Sequence, residues 1–595
     1  MLAGHAARRP GHVAVQDAAG ALSYADLWAR SAALADRLRS SRVARGDVVA
    51  VCLERSADAV TACAGVLVAG AAYLLLDPDQ PPERVRDLLA RSSATALVSR
   101  PEHVRRLGLE SYEPLDVGAF RDVAGSGAAP PVEAAEAVDA EDSLAYVNFT
   151  SGSSGRPKGV LIGHRGLGNL LDWYRDRYRV GPGDRATQLA RPTFDAFVLE
   201  TWTALTAGAS LHIVPSEAIT DPERLRDWFC AEGITVAFAP TALAEQLLTL
   251  EWPSAEEGCA LRDLLVGGDR LTRRPPASLP FRVHNNYGPT ENTVVATVGL
   301  VEPAPHPGLP SIGAPLPGVT AHVLDAAGAP VADGEPGRLH LGGVGVALGC
   351  LDDRDASRFT PDPWAAAPGG RMYDTGDRVV RDADGRLHYL GREDDQVQIR
   401  GFRVEPAEVE AALRADEAVD AAVVVATAEE EPRLVAYAVL RDGTADPRKI
   451  RARLADRLPD YLMPAVVTAV TAFPLTPRGK VDRAALAARP VTPDGTGGTG
   501  APEAERPGSS PLALLTALWA DVLAVPSVVP DDDFFEIGGD SLRVIRLVGK
   551  ARREGLRIDV EDVYTHPVLS DLARAVSPAE PGATGTPASA EDSPR

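Results

Sequence analysis

From Asp47 to about Leu341, short β-rich runs ("DVVAVCL", "ATALVS", "SLAYVNF", "SLHIV", "TVAFA") alternate with Ala/Leu/Arg-rich stretches of helical character. Strands that are apolar throughout and separated by helices suit a parallel sheet covered on both faces, which confines this part of the chain to α/β architecture. Ligands of such sheets favour the carboxyl ends of strands. Just after the apolar run Ser143 to Val147 stands "FTSGSSGRPKGV", residues 149 to 160. Its small and hydroxylic residues offer backbone N–H groups that could wrap an anion, with Lys158 as a tether.

Two familiar phosphate motifs are excluded. A Walker A loop needs GxxxxGK followed by Ser or Thr, but Lys158 is followed by Gly159 and the glycine spacing differs. "GGVGVALG", Gly342 to Gly349, lacks the third glycine of a dinucleotide fingerprint and reads as a turn between strands.

The uncharged stretch Ala59 to Leu76 is long enough to raise a membrane span. Its Ala/Gly content reads instead as a helix, a break at Gly70 and a buried strand from Ala72 to Leu76. No apolar signal-peptide core follows Met1, so a cytoplasmic location is expected. A formal charge of −22, from 61 Lys plus Arg against 83 Asp plus Glu, argues against nucleic acid and anionic membrane partners. The five cysteines, Cys52, Cys63, Cys230, Cys259 and Cys350, form no CxxC pair and read as reduced thiols.

Past residue 392 the pattern changes to a small α+β unit: a helix from Ala407 to Arg414, β-rich runs Ala421 to Ala426 and Leu434 to Leu440, and a helix near Pro447 to Leu458. Residues 490 to 510 are rich in Gly, Pro, Thr and Ser and read as a flexible linker. Then Leu515, Leu518, Trp519 and Val522, and again Val544, Leu547, Val548 and Ala551, fall at helical spacing. From 578 to 595 the apolar content is too low to fold.

Nine segments in order resemble the signature of the adenylate-forming superfamily, and specifically adenylation domains of nonribosomal peptide synthetases (NRPS). They are "LSYADL" (22 to 27), "LVAGAAYLLLDP" (67 to 78), "LAYVNFTSGSSGRPKG" (144 to 159), "FDAFVLETW" (194 to 202), "NNYGPTE" (285 to 291), "YDTGD" (373 to 377), "GREDDQVQIRGFR" (391 to 403), "LPDYLMP" (458 to 464) and "RGKVDR" (478 to 483). "DDDFFEIGGDSL" resembles the attachment site of a carrier domain. The resemblance implies a large α/β adenylate-forming domain over 1 to 392 and a small mobile α+β lid over 393 to 489. An all-α four-helix carrier over 511 to 577 would follow the linker.

By that resemblance Thr150, Ser151, Gly152, Ser153, Ser154, Gly155 and Lys158 would grip the triphosphate of ATP. Asn286, Tyr287, Gly288, Thr290, Asp377 and Arg392 would form the nucleotide shell, with Tyr287 near adenine and Asp377 on the ribose. Glu291 would hold Mg2+. Lys480 would neutralise charge at the α-phosphate and contact the substrate carboxylate, making Lys480, Glu291 and Thr150 the catalytic set. Asp394 would be the hinge, and Ser541 would carry 4′-phosphopantetheine.

The implied amino-acid pocket comprises Asp195, Ala196, Leu199, Phe238, Leu265, Gly267, Asn286, Val294, Val295 and Lys480. Asp195 would clamp an α-ammonium and Lys480 an α-carboxylate, and between them the lining is apolar except for Asn286. It looks like pockets that select leucine, with valine or isoleucine as alternatives. Leu75, Leu348, Cys350, Gln398 and Arg478 depart from the family's usual residues.

The other classes compatible with parts of this pattern are an acyl- or aryl-CoA ligase and an inactive carrier scaffold. Within these residues there is no HHxxxDG or GxSxG motif, so a loading didomain is expected whose condensation or tailoring enzymes act in trans. A phosphopantetheinyl transferase would be required as partner, and an MbtH-like helper is a further candidate.

Overall fold

The computed structural model describes residues 1–123, 143–152, 154–306, 308–366, 368–399, 401–427, 432–441, 445–476, 480–489, 510–523, 525, 527–535, 537, 539 and 541–578. Ser153, Arg478, the linker expected up to 509 and the tail expected beyond 578 lie outside them. The chain divides into two compact units, Met1–Ala488 and Arg489–Arg595.

Two mixed sheets dominate the first unit. The seven-stranded sheet runs in the order Gly349–Cys350, Lys158–Gly163, Leu144–Thr150, Ala72–Leu76, Val48–Cys52, Ala96–Ser99, Leu115–Asp116. The nine-stranded sheet runs Ala314–Pro315, Thr297–Leu300, Arg282–Tyr287, Asp263–Gly267, Val236–Pro240, Arg185–Gln188, Ser210–Ile213, Val13–Asp17, Gly20–Ser23. Strand periodicity explains why Val48–Cys52 and Ala72–Leu76, at the centre of the seven-stranded sheet, are apolar at every position. Val49 and Val51 enter the core shared by both sheets, whereas Val48, Ala50 and Cys52 point to a separate core under the helices Pro82–Arg91 and Pro101–Leu107. Likewise Leu265 faces the shared core, while Leu264 and Val266 pack against the helices Pro222–Ala231 and Thr241–Leu247.

The stretch that could have been a membrane span is the helix Ala57–Ala69, capped by Gly70 in the left-handed region (φ 85°), and then the fully buried strand Ala72–Leu76. Glycine reaches that conformation without the Cβ penalty that stops other residues there. Among the described residues no helix is long and apolar enough to cross a membrane. Cys52, Cys63 and Cys259 are buried, Cys230 and Cys350 are half-buried, and none of the five forms a disulfide.

A third sheet joins Val319–Leu324, Pro336–Gly343, Arg371–Arg381 and Phe359–Pro361, with Leu387–Arg392 paired to Arg371–Arg381. "GGVGVALG" does connect two strands, Pro336–Gly343 and Gly349–Cys350, which belong to different sheets. The rest of this unit is the hairpin Val397–Ile399/Phe402–Val404 and a three-stranded sheet, Val419–Ala426, Leu434–Leu440 and Val466–Ala469, with its own core. The helix expected from Ala407 starts one residue earlier, as Pro406–Arg414, with proline where its missing N–H costs nothing. The helix expected to reach Leu458 ends at Leu454. Leu458 still donates its N–H to the Leu454 carbonyl at 2.8 Å, but Pro459 ends the run.

Among the described residues the second unit holds four helices, Pro511–Leu523, Ser541–Arg553, Val560–Thr565 and Leu569–Ala575. Their core centres on Trp519 and Phe534, both fully buried and in edge contact at 4.9 Å between ring centroids. Phe534→Ala should cost about 3 to 5 kcal/mol and unfold this unit. Because its core shares no residue with the others, adenylation measured on the same sample should stay within twofold. A parallel loss of both would contradict two independent units.

Candidate active site

The anion loop does not follow the pattern of a strand-to-helix turn. Leu144–Thr150 and Lys158–Gly163 are antiparallel partners, Thr150 opposite Lys158, so the loop is the tip of a β-hairpin. Lys158 therefore projects from a strand, and its ammonium pairs with Glu291. Glu291 lies in the short helical turn Thr290–Asn292 that follows the strand Arg282–Tyr287, and is completely buried. Its Oε1 also accepts from the Tyr373 hydroxyl at 2.8 Å, and its Oε2 from Arg403 Nη1 at 2.8 Å. Burial alone would push this carboxyl up, but the Arg403 and Lys158 cations outweigh it and hold it well below the usual carboxylate range.

Among the described residues no group of three or more His, Cys, Asp or Glu could cage a metal. Mg2+ does not need one, since it binds through one or two carboxylates together with substrate phosphates. A single buried carboxylate beside an anion loop fits that donor set. So does the Thr150 hydroxyl, buried at the base of the loop with no partner among the described residues.

Next to this centre lies a second charged group. The Tyr287 hydroxyl donates to Asp377 Oδ2 at 2.5 Å, and Arg392 Nη1 reaches Asp377 Oδ1 at 2.5 Å. Arg392 also holds Asp394 through two bonds of 2.7 and 2.9 Å, and Arg358 reaches the same carboxylate at 2.6 Å. Burial raises the Asp394 carboxyl, but Arg392 and Arg358 prevail and bring it down to about 2. The expected hinge is thus anchored by two guanidiniums beside Asp377.

The expected amino-acid pocket gathers at the carboxyl ends of strands in the nine-stranded sheet. Asp195 opens the helix Asp195–Ala207, and Leu199 lies one turn further on its buried side. Phe238 and Leu265 are register partners on adjacent strands, and Pro240 opposes Gly267. A Cβ on Gly267 would stand 3.0 Å from the Asn286 carbonyl and 3.6 Å from the Phe238 ring, so a larger residue would fill the floor. Val294 and Val295 are buried just past the Glu291 turn. Asn286 turns its amide to the Val266 and His284 carbonyls (3.4 and 3.2 Å), which leaves Oδ1 buried without a partner among the described residues.

Asp195 accepts from the Thr290 hydroxyl at 2.5 Å. Thr290, expected in the nucleotide shell, therefore orients the Asp195 carboxylate instead. Burial pushes the Asp195 carboxyl up to about 6, against the pull of the Thr290 bond. Only the ionised form can pair with a substrate ammonium, and in the free protein it is lost as pH falls through about 6. The amino-acid kcat/KM should thus drop about tenfold per unit below that pH, with the ATP KM nearly constant. A flat profile between about pH 5 and 7 would remove Asp195 from the ammonium role.

Lys480 is not brought to this centre. It is exposed, and its backbone closes a turn with Thr476: Lys480 N–H donates to Thr476 Oγ1 at 3.2 Å and Thr476 N–H to the Lys480 carbonyl at 2.7 Å. In its place the hairpin Val397–Ile399/Phe402–Val404 brings Arg403 to Glu291. Ser541 is the first residue of the helix Ser541–Arg553, and its side chain lies outside the described residues.

Arg403, Tyr373 and Arg358 join the site without having been expected there. The first two stand in signature segments, "RGFR" and "YDTGD", and a guanidinium in one and a phenol in the other were the available signal. Arg358 stands in none.

A buried carboxylate beside an anion loop, the Tyr287–Asp377–Arg392 group and the apolar residues near Asp195 match the parts expected of an adenylate-forming enzyme. Profile comparison matches residues 2–351 to the AMP-binding enzyme family, 408–480 to the AMP-binding enzyme C-terminal domain and 513–576 to the phosphopantetheine attachment site. A linear gramicidin synthase of Brevibacillus parabrevis is 41% identical over 572 residues, 95% of this chain and 11% of that protein. Phosphinothricin tripeptide synthetase PhsC of Streptomyces viridochromogenes is 37% identical over 593 residues, 97% of this chain and 52% of its own length. Among solved structures, holo-PA1221, an NRPS protein containing adenylation and PCP domains bound to a vinylsulfonamide inhibitor, superposes with a TM-score of 0.78 at 26% identity, covering 96% of this chain and 95% of that one. The chain belongs to the AMP-binding enzyme family, in the adenylation-plus-carrier arrangement of nonribosomal peptide synthetases. It is an adenylating ligase joined to a carrier domain, and it spans only 11% and 7% of two linear gramicidin synthase polypeptides that it resembles.

Proposed function

We propose that this chain activates an aliphatic amino acid, leucine foremost, as the aminoacyl adenylate and transfers it to a phosphopantetheine thiol on Ser541. The observation that supports the reading is the set of side chains placed around Asp195: a half-buried carboxylate that accepts from Thr290, apolar neighbours in Leu199, Phe238, Leu265 and Val294, and the absence of a side chain at Gly267, where a Cβ would stand 3.6 Å from the Phe238 ring. A charged side chain entering it would lose hydration with no partner, whereas a branched aliphatic one matches the walls.

In this reading Thr150, Ser151, Gly152, Ser154, Gly155 and Lys158 seat the triphosphate, while Tyr287, Asp377 and Arg392 orient the nucleoside. Asp195 directs the carboxylate of the amino acid at the α-phosphate by fixing the other end of the molecule. Mg2+, held by Glu291 and the phosphates, would spread the charge of the leaving pyrophosphate. Lys480 would reach the α-phosphate in a second orientation of the small subdomain, turned about Asp394. The subdomain boundaries follow as 1–392 and 393–489, with the carrier over 511–577.

Pyrophosphate exchange across the common amino acids tests the substrate. Leucine should exceed valine and isoleucine by about 10- to 200-fold at most, the discrimination a single methyl or methylene allows, with acidic and basic amino acids at background. A basic or aromatic substrate ahead of leucine would overturn the assignment. Carrier modification calls for a phosphopantetheinyl transferase, and we assign condensation or tailoring to partners that receive the thioester.

A further inference from the structure

We propose that Glu200 is the positioning residue that fixes the shape of the expected amino-acid pocket. It ties the helix bearing Asp195 and Leu199 to the strand bearing Phe238, and side-chain selection depends on that tie. The inference rests on the reading of these three residues as pocket positions. Glu200 stands in the second turn of the helix Asp195–Ala207 and is buried. Its Oε1 accepts from the Thr187 hydroxyl and the Leu189 N–H, both at 3.0 Å, and its Oε2 from the Leu189 and Ala190 N–H groups at 2.9 and 2.8 Å. Residues 189 and 190 belong to neither the strand before them nor the helix after them. All four of their backbone polar groups are nonetheless taken by side chains. Glu200 holds the two N–H groups, Arg55 Nη1 the Leu189 carbonyl at 2.5 Å, and Gln188 Nε2 the Ala190 carbonyl at 2.7 Å. Buried backbone outside a helix or ladder must find such partners. From this clamped segment the chain runs through residues 191–194 to Asp195.

A second, independent arm reaches Phe238. The parallel strands Arg185–Gln188 and Val236–Pro240 share a single register pair, Ala186 opposite Val236. Beyond that pair the Phe238 N–H donates instead to Thr187 Oγ1 at 3.2 Å. An N–H can only donate, so the Thr187 hydroxyl accepts it and donates in turn to Glu200 Oε1. The relay thus has a fixed direction and ends on a group that must accept from every side. Glutamine keeps the length of the side chain but turns an NH2 group toward the N–H of Leu189 or Ala190. A buried donor is then left unpaired, and the segment must shift to relieve it. The Tyr287–Asp377–Arg392 group is held by bonds of its own, so the nucleotide side should not feel that shift.

Pyrophosphate exchange by the full-length protein, with leucine, valine and ATP each varied, tests the relay. Glu200→Gln should raise the leucine KM about 10- to 100-fold, the scale of a small misplacement at a reacting centre. It should bring the leucine-to-valine ratio of kcat/KM to within about threefold, while the ATP KM stays within about twofold. Thr187→Val cuts only the arm to Phe238 and should lower the same ratio with a smaller rise in KM. Thr187→Ser keeps the hydroxyl and should hold the ratio of the parent, and this pair serves if Glu200→Gln does not fold. An unchanged ratio in both Glu200→Gln and Thr187→Val overturns the proposal. So does an equal loss in Thr187→Ser and Thr187→Val, which would trace the effect to packing, or an ATP KM that rises in step with that of leucine. A parent that prefers a different amino acid refutes the leucine reading alone, and the ratio of its best to its next substrate then reads Glu200 in the same way.

Discussion

Lys480→Ala is expected to lower leucine-dependent pyrophosphate exchange by about a thousandfold or more, the scale of removing one preorganised charge from a transition state. The fold should not suffer, since Lys480 is exposed and its backbone forms the turn with Thr476. The structure adds a second, sharper expectation. In the orientation with Arg403 at Glu291, Lys480 is on the solvent side, so transfer from a preformed adenylate should not need it. Lys480→Ala supplied with synthetic leucyl-adenylate should load its carrier within about tenfold of the parent. Exchange within tenfold of the parent would remove Lys480 from catalysis. Equal loss of both half-reactions would show instead that one orientation serves both.

Ser541→Ala should show the opposite pattern. In the proposed function activation belongs to Met1–Ala488, whereas tethering requires a thiol on the unit beyond it. Pyrophosphate exchange should therefore stay at the parent rate, while uptake of phosphopantetheine and of thiol-labile leucine falls to nothing. Intact-protein mass spectrometry after incubation with CoA and a phosphopantetheinyl transferase reads the first loss, and addition of ATP and leucine reads the second. A variant that still gains the arm would place the attachment on another serine.

Much of this was legible in the sequence because the relevant signals are local. The Ala57–Ala69 helix, its Gly70 cap and the following strand are written in consecutive residues, and so are the amphipathic helices around Trp519. Asp195 and Asn286 could be singled out because they stand inside signature segments, "FDAFVLETW" and "NNYGPTE". What the sequence hid is pairing across long separations. Glu291 is 112 residues from Arg403 and 133 from Lys158, and no spacing rule joins them. Thr290 shows the same limit, since its neighbours suggest the nucleotide and its side chain serves Asp195, 95 residues away. The strand Val419–Ala426 begins two residues before the β-rich run Ala421 to Ala426, with the exposed Asp420 and a register irregularity between Val419 and Ala421. Gln398, which departs from the family's usual residue, has its Oε1 buried without a partner among the described residues, and nothing in its surroundings explains that.

The central claim is that this chain activates an amino acid and carries it on its own arm rather than passing an acyl group to free CoA. The most direct measurement incubates phosphopantetheinylated protein with ATP, radiolabelled leucine and an excess of free CoA, then separates protein from small molecules. The label should stay with the protein, be released by hydroxylamine, and be absent from CoA. Label recovered as leucyl-CoA with the protein unloaded, or no label from any amino acid alongside activity on a simple carboxylic acid, would place the chain among CoA ligases and contradict the account.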